Sequence, residues 1–427
     1  MKLLSEKLFY TSMSERTPHN SNWVVVTFKR PILWNRNENE VWMFNPPGRY
    51  VLNANQLGNL SEHIQTISDL KSQPFYKPLH AGANLPGASI LLERYRERGI
   101  GDLLFLTGPM NYIHFVTGGD ISIDMYALSD RGMIMNFHPS LRYQAPMAGP
   151  LRYDDLQFYD YHWLVDTVTE YDEEPDQQNV YDSLFSQLGF DPATIPSVYK
   201  RPSVQLVKDD QNNLDQFLYF VWMEKKLDLR KTGYYVIAPF ARGSLRSMPY
   251  GAWLKVIREL ATRRPVIVVG NMNDRMPETD MSAGEFNQHV TQSGANVINA
   301  IGNTPLRVMM AVLSKATAVG CMDSGPLYVA QALNVPAISV WGPHDPRVRI
   351  GYDKPYMDLA VWNKSACRHA PCFSYSAFPS HKCPDGQNQL VCEPLKKVDT
   401  DEILAKFAAV EDANQPIGTI QSGGKNA

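Results

Sequence analysis

The turn Asp323-Ser324-Gly325-Pro326 places an acid, a hydroxyl and a glycine where the strand-like TAVGCMD gives way to the helical GPLYVAQALN. Backbone N–H groups at a helix start are unpaired and carry partial positive charge. Ser324 adds a hydroxyl donor, and Gly325 lets a ligand come close to the backbone. Together they suit a diphosphate; alone, the same residues make an ordinary helix cap. Four cysteines, Cys367, Cys372, Cys383 and Cys392, fall in one segment. Thiolates so grouped can bind zinc, but the spacing lacks the paired C-x2-C form, and the expectation is reduced cysteines without a metal. Cys321 stands apart in a strand, as a small core residue. Asp399-Thr400-Asp401 precedes EILAKF and reads as a helix cap with first-turn acids, not as a metal-binding pair.

The rhythm of the chain shows what must position these residues. From Ala88, strand and helix alternate: SILLERY, the turn GIGD, a helix LLFLTGPMNYIHFVT interrupted at Gly108-Pro109, then the strands ISIDMYAL and GMIMNFHP. NVYDSLFSQLGFDP is an amphipathic helix ended by Gly189. A second α/β series begins near Gly233, with strands in YYVIAPF, PVIVVG, TAVGCMD and PAISVWG separated by helical segments. This is the pattern of parallel sheets. Two such halves, joined near residues 200–232, leave a cleft, and ligands of open α/β sheets bind beyond the carboxyl ends of the strands.

Residues 1–80 differ. NWVVVTFKRPILW and EVWMFNPPGRYVL are rich in β-branched and aromatic residues, with NRNENE as a turn. NLSEHIQTISDLKSQ reads as a helix capped by Asn59 or Ser61. Trp23, Trp34 and Trp42 with Lys29, Arg30, Arg36 and Arg49 could face a nucleic acid or a sugar, or form a small core with solvated arginines.

Over 427 residues, 44% are hydrophobic and 20% charged, as in a globular enzyme. A formal net charge of −3 gives no global attraction to nucleic acid or an acidic membrane. Neither a signal-peptide core nor a spanning apolar run is present. The expected location is cytoplasmic, the host cytoplasm if a phage encodes the chain.

The order of several turns resembles the heptosyltransferase-like enzymes of glycosyltransferase family 9. Arg246-Ser247-Met248-Pro249, Gly270-Asn271-Met272-Asn273-Asp274, Asp323-Ser324-Gly325 and VWGPHDP follow one another as in the carboxyl half of that family, and GIGDLLFLTGPM resembles its amino-half signature. The cysteine-rich segment also has family counterparts. The resemblance covers roughly residues 88–395. It implies a GT-B fold: two Rossmann-like domains facing a cleft, here with a small β-rich amino-terminal module. The expected divisions are 1–80 for that module, 86–228 for the acceptor side, 229–400 for the donor nucleotide and 410–427 for a disordered tail.

The resemblance also implies roles. Asp102 would be the general base, with Gly101 beside it on the acceptor side; as a plain alternative, Asp102 caps a helix starting at Leu103. Arg246 would clamp a diphosphate through its fork. Asp274 would accept hydrogen bonds from ribose. Asp323, Ser324, Gly325 and Tyr328 would complete the donor site. Two positions depart from the family: Tyr328 stands where the heptose enzymes have His, and Arg246 replaces the usual Lys. These departures leave the sugar and nucleotide open. The expected function is inverting, metal-independent transfer of a sugar from a nucleotide-diphosphate donor, with no cofactor. The first acceptor is a saccharide of the lipopolysaccharide type; the alternatives are a hydroxymethylated pyrimidine in DNA, or a GT-B protein that binds without catalysing.

Overall fold

β-Branched strands separated by helices with one apolar face can bury both faces of a sheet only in a parallel arrangement. The chain does this twice. The computed structural model describes residues 23–37, 40–53, 57–94, 99–127, 138–146, 151–165, 178–241, 244–271, 279–372, 383 and 391–414. The chain divides into two compact units, Met1–Val207 with His344–Lys354 and Pro371–Pro384, and Lys208–Pro343 with Pro355–Ala370 and Asp385–Ala427.

In the first unit, β1 (Trp23–Phe28) lies between β4 (Gly48–Asn53) and β5 (Ile64–Asp69) in an antiparallel sheet, and β2 (Ile32–Asn37) pairs with β3 (Glu40–Phe44). β5 falls where the sequence suggests a helix. Leu60, Ile64 and Ile67 have helical spacing, but Gly58–His63 forms a 3-10 turn and the rest pairs with β1. The edge of β1 won over local periodicity, and Thr66 Oγ1 donates to Thr27 Oγ1 at 2.7 Å across the pair. The core of this sheet continues into Leu91, Leu151, Tyr153, Leu156 and Leu164.

A four-stranded parallel sheet follows, in the order β8 (Leu141–Pro146), β7 (Ile121–Ala127), β6 (Ala88–Arg94) and β9 (Tyr161–Val165). The strand expected at GMIMNFHP and the acidic YDEEPD segment lie outside the described residues. Helix α1 (Ile100–Val116) crosses from β6 to β7 without the expected interruption, with Pro109 inside it. Leu103 to Met110 are all buried, so packing outweighs the hydrogen bond that proline removes. Gly108 is there for close approach. A Cβ on it would stand 2.5 Å from the Tyr199 carbonyl oxygen and 2.8 Å from the ring of Tyr181 in α2 (Val180–Gln187). Gly108→Ala is therefore expected to destabilise the fold by about 1–3 kcal/mol, read as a lower midpoint in denaturant unfolding.

The second unit opens with α3 (Lys208–Lys225) and holds six parallel strands. Their order is β12 (Val297–Asn299), β11 (Val266–Val268), β10 (Tyr235–Ala238), β13 (Ala318–Met322), β14 (Ala337–Trp341) and β15 (Ala360–Trp362). Counted from β10 this is 3-2-1-4-5-6, the Rossmann order, which reverses between β10 and β13. The crossovers are α4 (Tyr250–Ala261), α5 (Ala283–Thr291), α6 (Leu306–Leu313) and α7 (Gly325–Ala332). The core gathers Trp253, Ile257, Val268, Met322, Val340 and Phe407.

After β14 the chain leaves this unit. α8 (Pro346–Ile350) and the residues around it belong to the first unit, where Asn179 Nδ2 donates to the Arg347 carbonyl at 2.9 Å and Tyr352 donates to Asp182 at 2.7 Å. The last helix, α9 (Thr400–Asn414), returns to the second unit, where Phe407 meets Tyr235 edge-on at 5.0 Å. It runs to Asn414, into the stretch 410–427 expected to be disordered. Among the described residues, no helix is long and apolar enough to cross a membrane.

Candidate functional site

The strand reversal in the second unit fixes where a ligand can sit. Loops after β10 and β13 diverge at their carboxyl ends, and the gap between them is the binding crevice of this fold. Arg246 follows β10, and Asp323-Ser324-Gly325 follows β13 directly. Arg246 and Asp323-Ser324-Gly325 thus lie at the position the topology favours.

Their contacts are specific. Tyr328 donates its hydroxyl to Asp323 Oδ1 at 2.5 Å. Arg246 Nη2 donates to the Asp323 backbone carbonyl and lies 3.3 Å from Asp323 Oδ2. Asp323 is buried, whereas the Arg246 side chain keeps 29% of its surface exposed. The guanidinium is thus oriented by a buried acid yet still reachable. Cys321 lies beneath; burial, then the charge of Asp323, push its thiol well above the ordinary range, as suits a core residue.

The helix starts differ in what caps them. Asp280 accepts the backbone N–H groups of Tyr250 at 2.6 Å and Gly251 at 2.9 Å, so its carboxylate already meets the start of α4. α5 has a complete capping box of Ser282 and Glu285. At α7, Ser324 is extended, with φ −157° and ψ 174°, and makes no side-chain cap bond; its hydroxyl lies 3.4 Å from the Met322 carbonyl oxygen. The start of α7 therefore presents positive dipole and the Ser324 hydroxyl, with the Asp323 carboxylate turned to the Tyr328 hydroxyl. Reading motifs along the chain did not find Asp280, 30 residues from Tyr250.

Gly270 also has a physical reason. A Cβ there would meet the Phe240 ring at 2.3 Å, so the turn after β11 begins with glycine because an aromatic ring rests on it. Asp274 lies outside the described residues.

Asp102 and Gly101 belong to the first unit, at the start of α1. The helix begins at Ile100 with Gly99 as its N-cap, so Asp102 is not the cap of a helix starting at Leu103 but the third residue of one that starts earlier. Its carboxylate turns back over Gly99: a Cβ on Gly99 would stand 3.0 Å from Asp102 Oδ2. Asp102 is half-buried and Gly101 buried.

Of the aromatic and basic face outlined from the front module's sequence, Lys29 and Arg30 are exposed and Trp23 is withdrawn. Trp23 is 1% exposed and part of the core. Arg49 pairs with Asp154 at 2.6 Å and lies 4.4 Å above the Tyr153 ring. Nothing is described of the Trp34, Trp42 and Arg36 side chains.

None of the five cysteines is in a disulfide. Cys372 and Cys392 are buried, Cys367 and Cys383 half-buried. Among the described residues, no three of His, Cys, Asp and Glu come together to hold a metal ion.

A Rossmann-ordered unit with an arginine and a helix start at its strand reversal, in one chain with a second parallel α/β unit, is the build of a GT-B glycosyltransferase. The chain belongs to glycosyltransferase family 9, the heptosyltransferase family, whose model matches residues 157–381, more than half of its length. No curated protein matches the chain in sequence. Solved structures do match in fold. The ADP-heptose lipopolysaccharide heptosyltransferase II of E. coli aligns with TM-score 0.52 at 14% identity, over 77% of this chain and 100% of that one. A family 9 glycosyltransferase of Veillonella parvula aligns at 0.56 and 11%, over 77% and 98%. The iron-containing dodecameric glycosyltransferase TibC of enterotoxigenic E. coli aligns at 0.51 and 13%, over 93% and 92%, and has also been solved with ADP-D-beta-D-heptose. At such identities the likeness shows the fold, GT-B with a β-rich amino-terminal region.

Proposed function

We propose that this glycosyltransferase moves a sugar from a nucleotide-diphosphate donor to an acceptor hydroxyl in one displacement that inverts the anomeric centre. The acceptor oxygen bonds to the anomeric carbon as the bond from that carbon to the diphosphate oxygen breaks, its electron pair leaving with the nucleotide. Asp102 takes the hydroxyl proton. Arg246 and the start of α7 bear the charge that develops on the leaving diphosphate, a role that needs no metal. Asp274 receives the ribose hydroxyls. The observation that carries this reading is the convergence of Arg246 and Ser324-Gly325 beyond the two strands that flank the sheet reversal.

The donor is an adenosine-diphosphate sugar, by analogy with TibC and the E. coli enzyme. Tyr328 and Arg246 make heptose itself one candidate among several sugars. The acceptor is a saccharide of the lipopolysaccharide type, met in the cytoplasm. The buried Trp23 and the engaged Arg49 favour it over DNA.

A thermal-shift series with ADP, UDP, GDP and CDP tests the donor site. Nucleotide at one hundred times its dissociation constant is expected to stabilise the chain by about 2.7 kcal/mol, with ADP strongest. A melting temperature unmoved by all four overturns the reading.

A further inference from the structure

Helix α3 has two faces. Leu214, Leu218 and Val221 are buried and turn toward α6, to which Asp210 is tied through a two-pronged pair with Arg307. Its other side carries Tyr219, Phe220, Trp222 and Met223, four large apolar residues within five positions, each 45–63% exposed. The Tyr219 and Trp222 rings lie 5.9 Å apart. They form a ridge where a solvated helix would have polar residues.

The ridge is not part of the donor site. Asp210 and Arg307 sit in the first turns of α3 and α6, and α6 leads into the amino end of β13. α3 therefore runs from the carboxyl ends of the strands toward their amino ends, and through the turn Leu229–Thr232 it delivers the chain to the start of β10. Tyr219 to Met223 lie in its last turns, at the end of the sheet away from Arg246 and Ser324.

The charges beside the ridge are sorted. Arg230 pairs with Asp215 at 2.8 Å, and Lys231 with Asp228 at 3.2 Å. Glu224, Lys225 and Lys226 follow the rings. Lys226 closes the helix with φ 58°, a left-handed conformation that glycine or asparagine adopts with less strain. Its ammonium lies 5.5 Å from the Trp222 ring centroid. A lysine is thus kept in a strained position at the edge of an exposed indole.

We propose that this face of α3 is a membrane-surface anchor, inserting Tyr219, Phe220, Trp222 and Met223 among the headgroups of a bilayer while Lys225 and Lys226 meet anionic lipid phosphates. Aromatic rings with lysines at their border are the composition of an interfacial helix. A second protein is less well served. Four half-exposed side chains of about 150–250 Å² each offer roughly 300–600 Å², short of the ~800 Å² per partner of a stable interface, and lysine is depleted from such interfaces. A small polar ligand is served no better: the shallow hollow of about 220 Å³ beside Trp222 has Asp228 and Arg230 as its charged walls, both already paired within the chain. The proposal holds whichever residue is the catalytic base.

The full chain should cosediment with phosphatidylethanolamine–phosphatidylglycerol vesicles, less with phosphatidylcholine vesicles, and progressively less as salt rises. Because their side chains are exposed, a Phe220→Ala, Trp222→Ala double variant should keep its melting temperature and its nucleotide-induced shift. Its partition onto the anionic vesicles should fall about tenfold or more. Lys225→Glu with Lys226→Glu should remove the preference for anionic lipid. No binding to either vesicle, or double-variant binding equal to the wild type, overturns the proposal. So does lipid-free self-association in light scattering that the double variant abolishes, which would assign the ridge to a second copy of this chain.

Discussion

Asp102→Asn is expected to lower turnover about 10²–10⁴-fold at saturating donor and acceptor, while donor binding and melting temperature stay unchanged. Gly99, not Asp102, is the N-cap of α1. The amide keeps the size and one oxygen of the carboxylate, and the tight space over Gly99 still accommodates it. Asp102→Ala goes further, because an acid in the first turn complements the helix dipole; about 0.3–1 kcal/mol of stability should go with it. Both variants should bind donor and both should fail in turnover. The measurement is turnover beside a melting curve and a donor titration for each. Near-wild-type turnover in Asp102→Asn would remove Asp102 from the proton transfer.

Arg246→Ala should weaken ADP binding roughly 10- to 150-fold, the equivalent of the 1.5–3 kcal/mol carried by hydrogen bonds to a charged group. The upper end is expected. Arg246 is the cation beside the buried Asp323, which also accepts the Tyr328 hydroxyl. Removing it leaves the Asp323 carboxylate next to an incoming diphosphate without that cation between them, and like charges in a partly buried site repel. Arg246→Lys keeps the charge and loses the fork, and should fall between wild type and alanine. Titration with ADP reads all three. A change under about twofold for alanine would take Arg246 out of the donor site.

Several elements were legible because their signals are local. Strands such as PVIVVG and TAVGCMD, helices such as PYGAWLKVIRELATR, and the turn Asp323-Ser324-Gly325 each carry their pattern in a few consecutive residues. Where local signals misled, a distant partner had decided. The Gly108-Pro109 pair reads as a break, yet it is the place where Tyr199 and Tyr181 press against a continuous helix. The helical spacing after Gly58 reads as a helix, yet the edge of β1 draws those residues into a strand. α3 was not singled out, because its apolar residues are spread over both its faces.

By itself, then, the sequence determined that the chain is an α/β protein with parallel sheets, and that an acid stands in the first turn of the first crossover helix. Periodicity, caps and fixed side-chain chemistry act over a turn or two of chain, so they can be read there. Only the tertiary structure decided that Arg246 and Asp323, 77 residues apart, form one cluster with Tyr328. Likewise, it alone decided that Asp280 covers the start of α4 and that Trp23 is core. These pairings depend on strand order and on loops closing in space. The energy of each is realised only once the sheet has brought its partners together, so no short stretch of sequence records them.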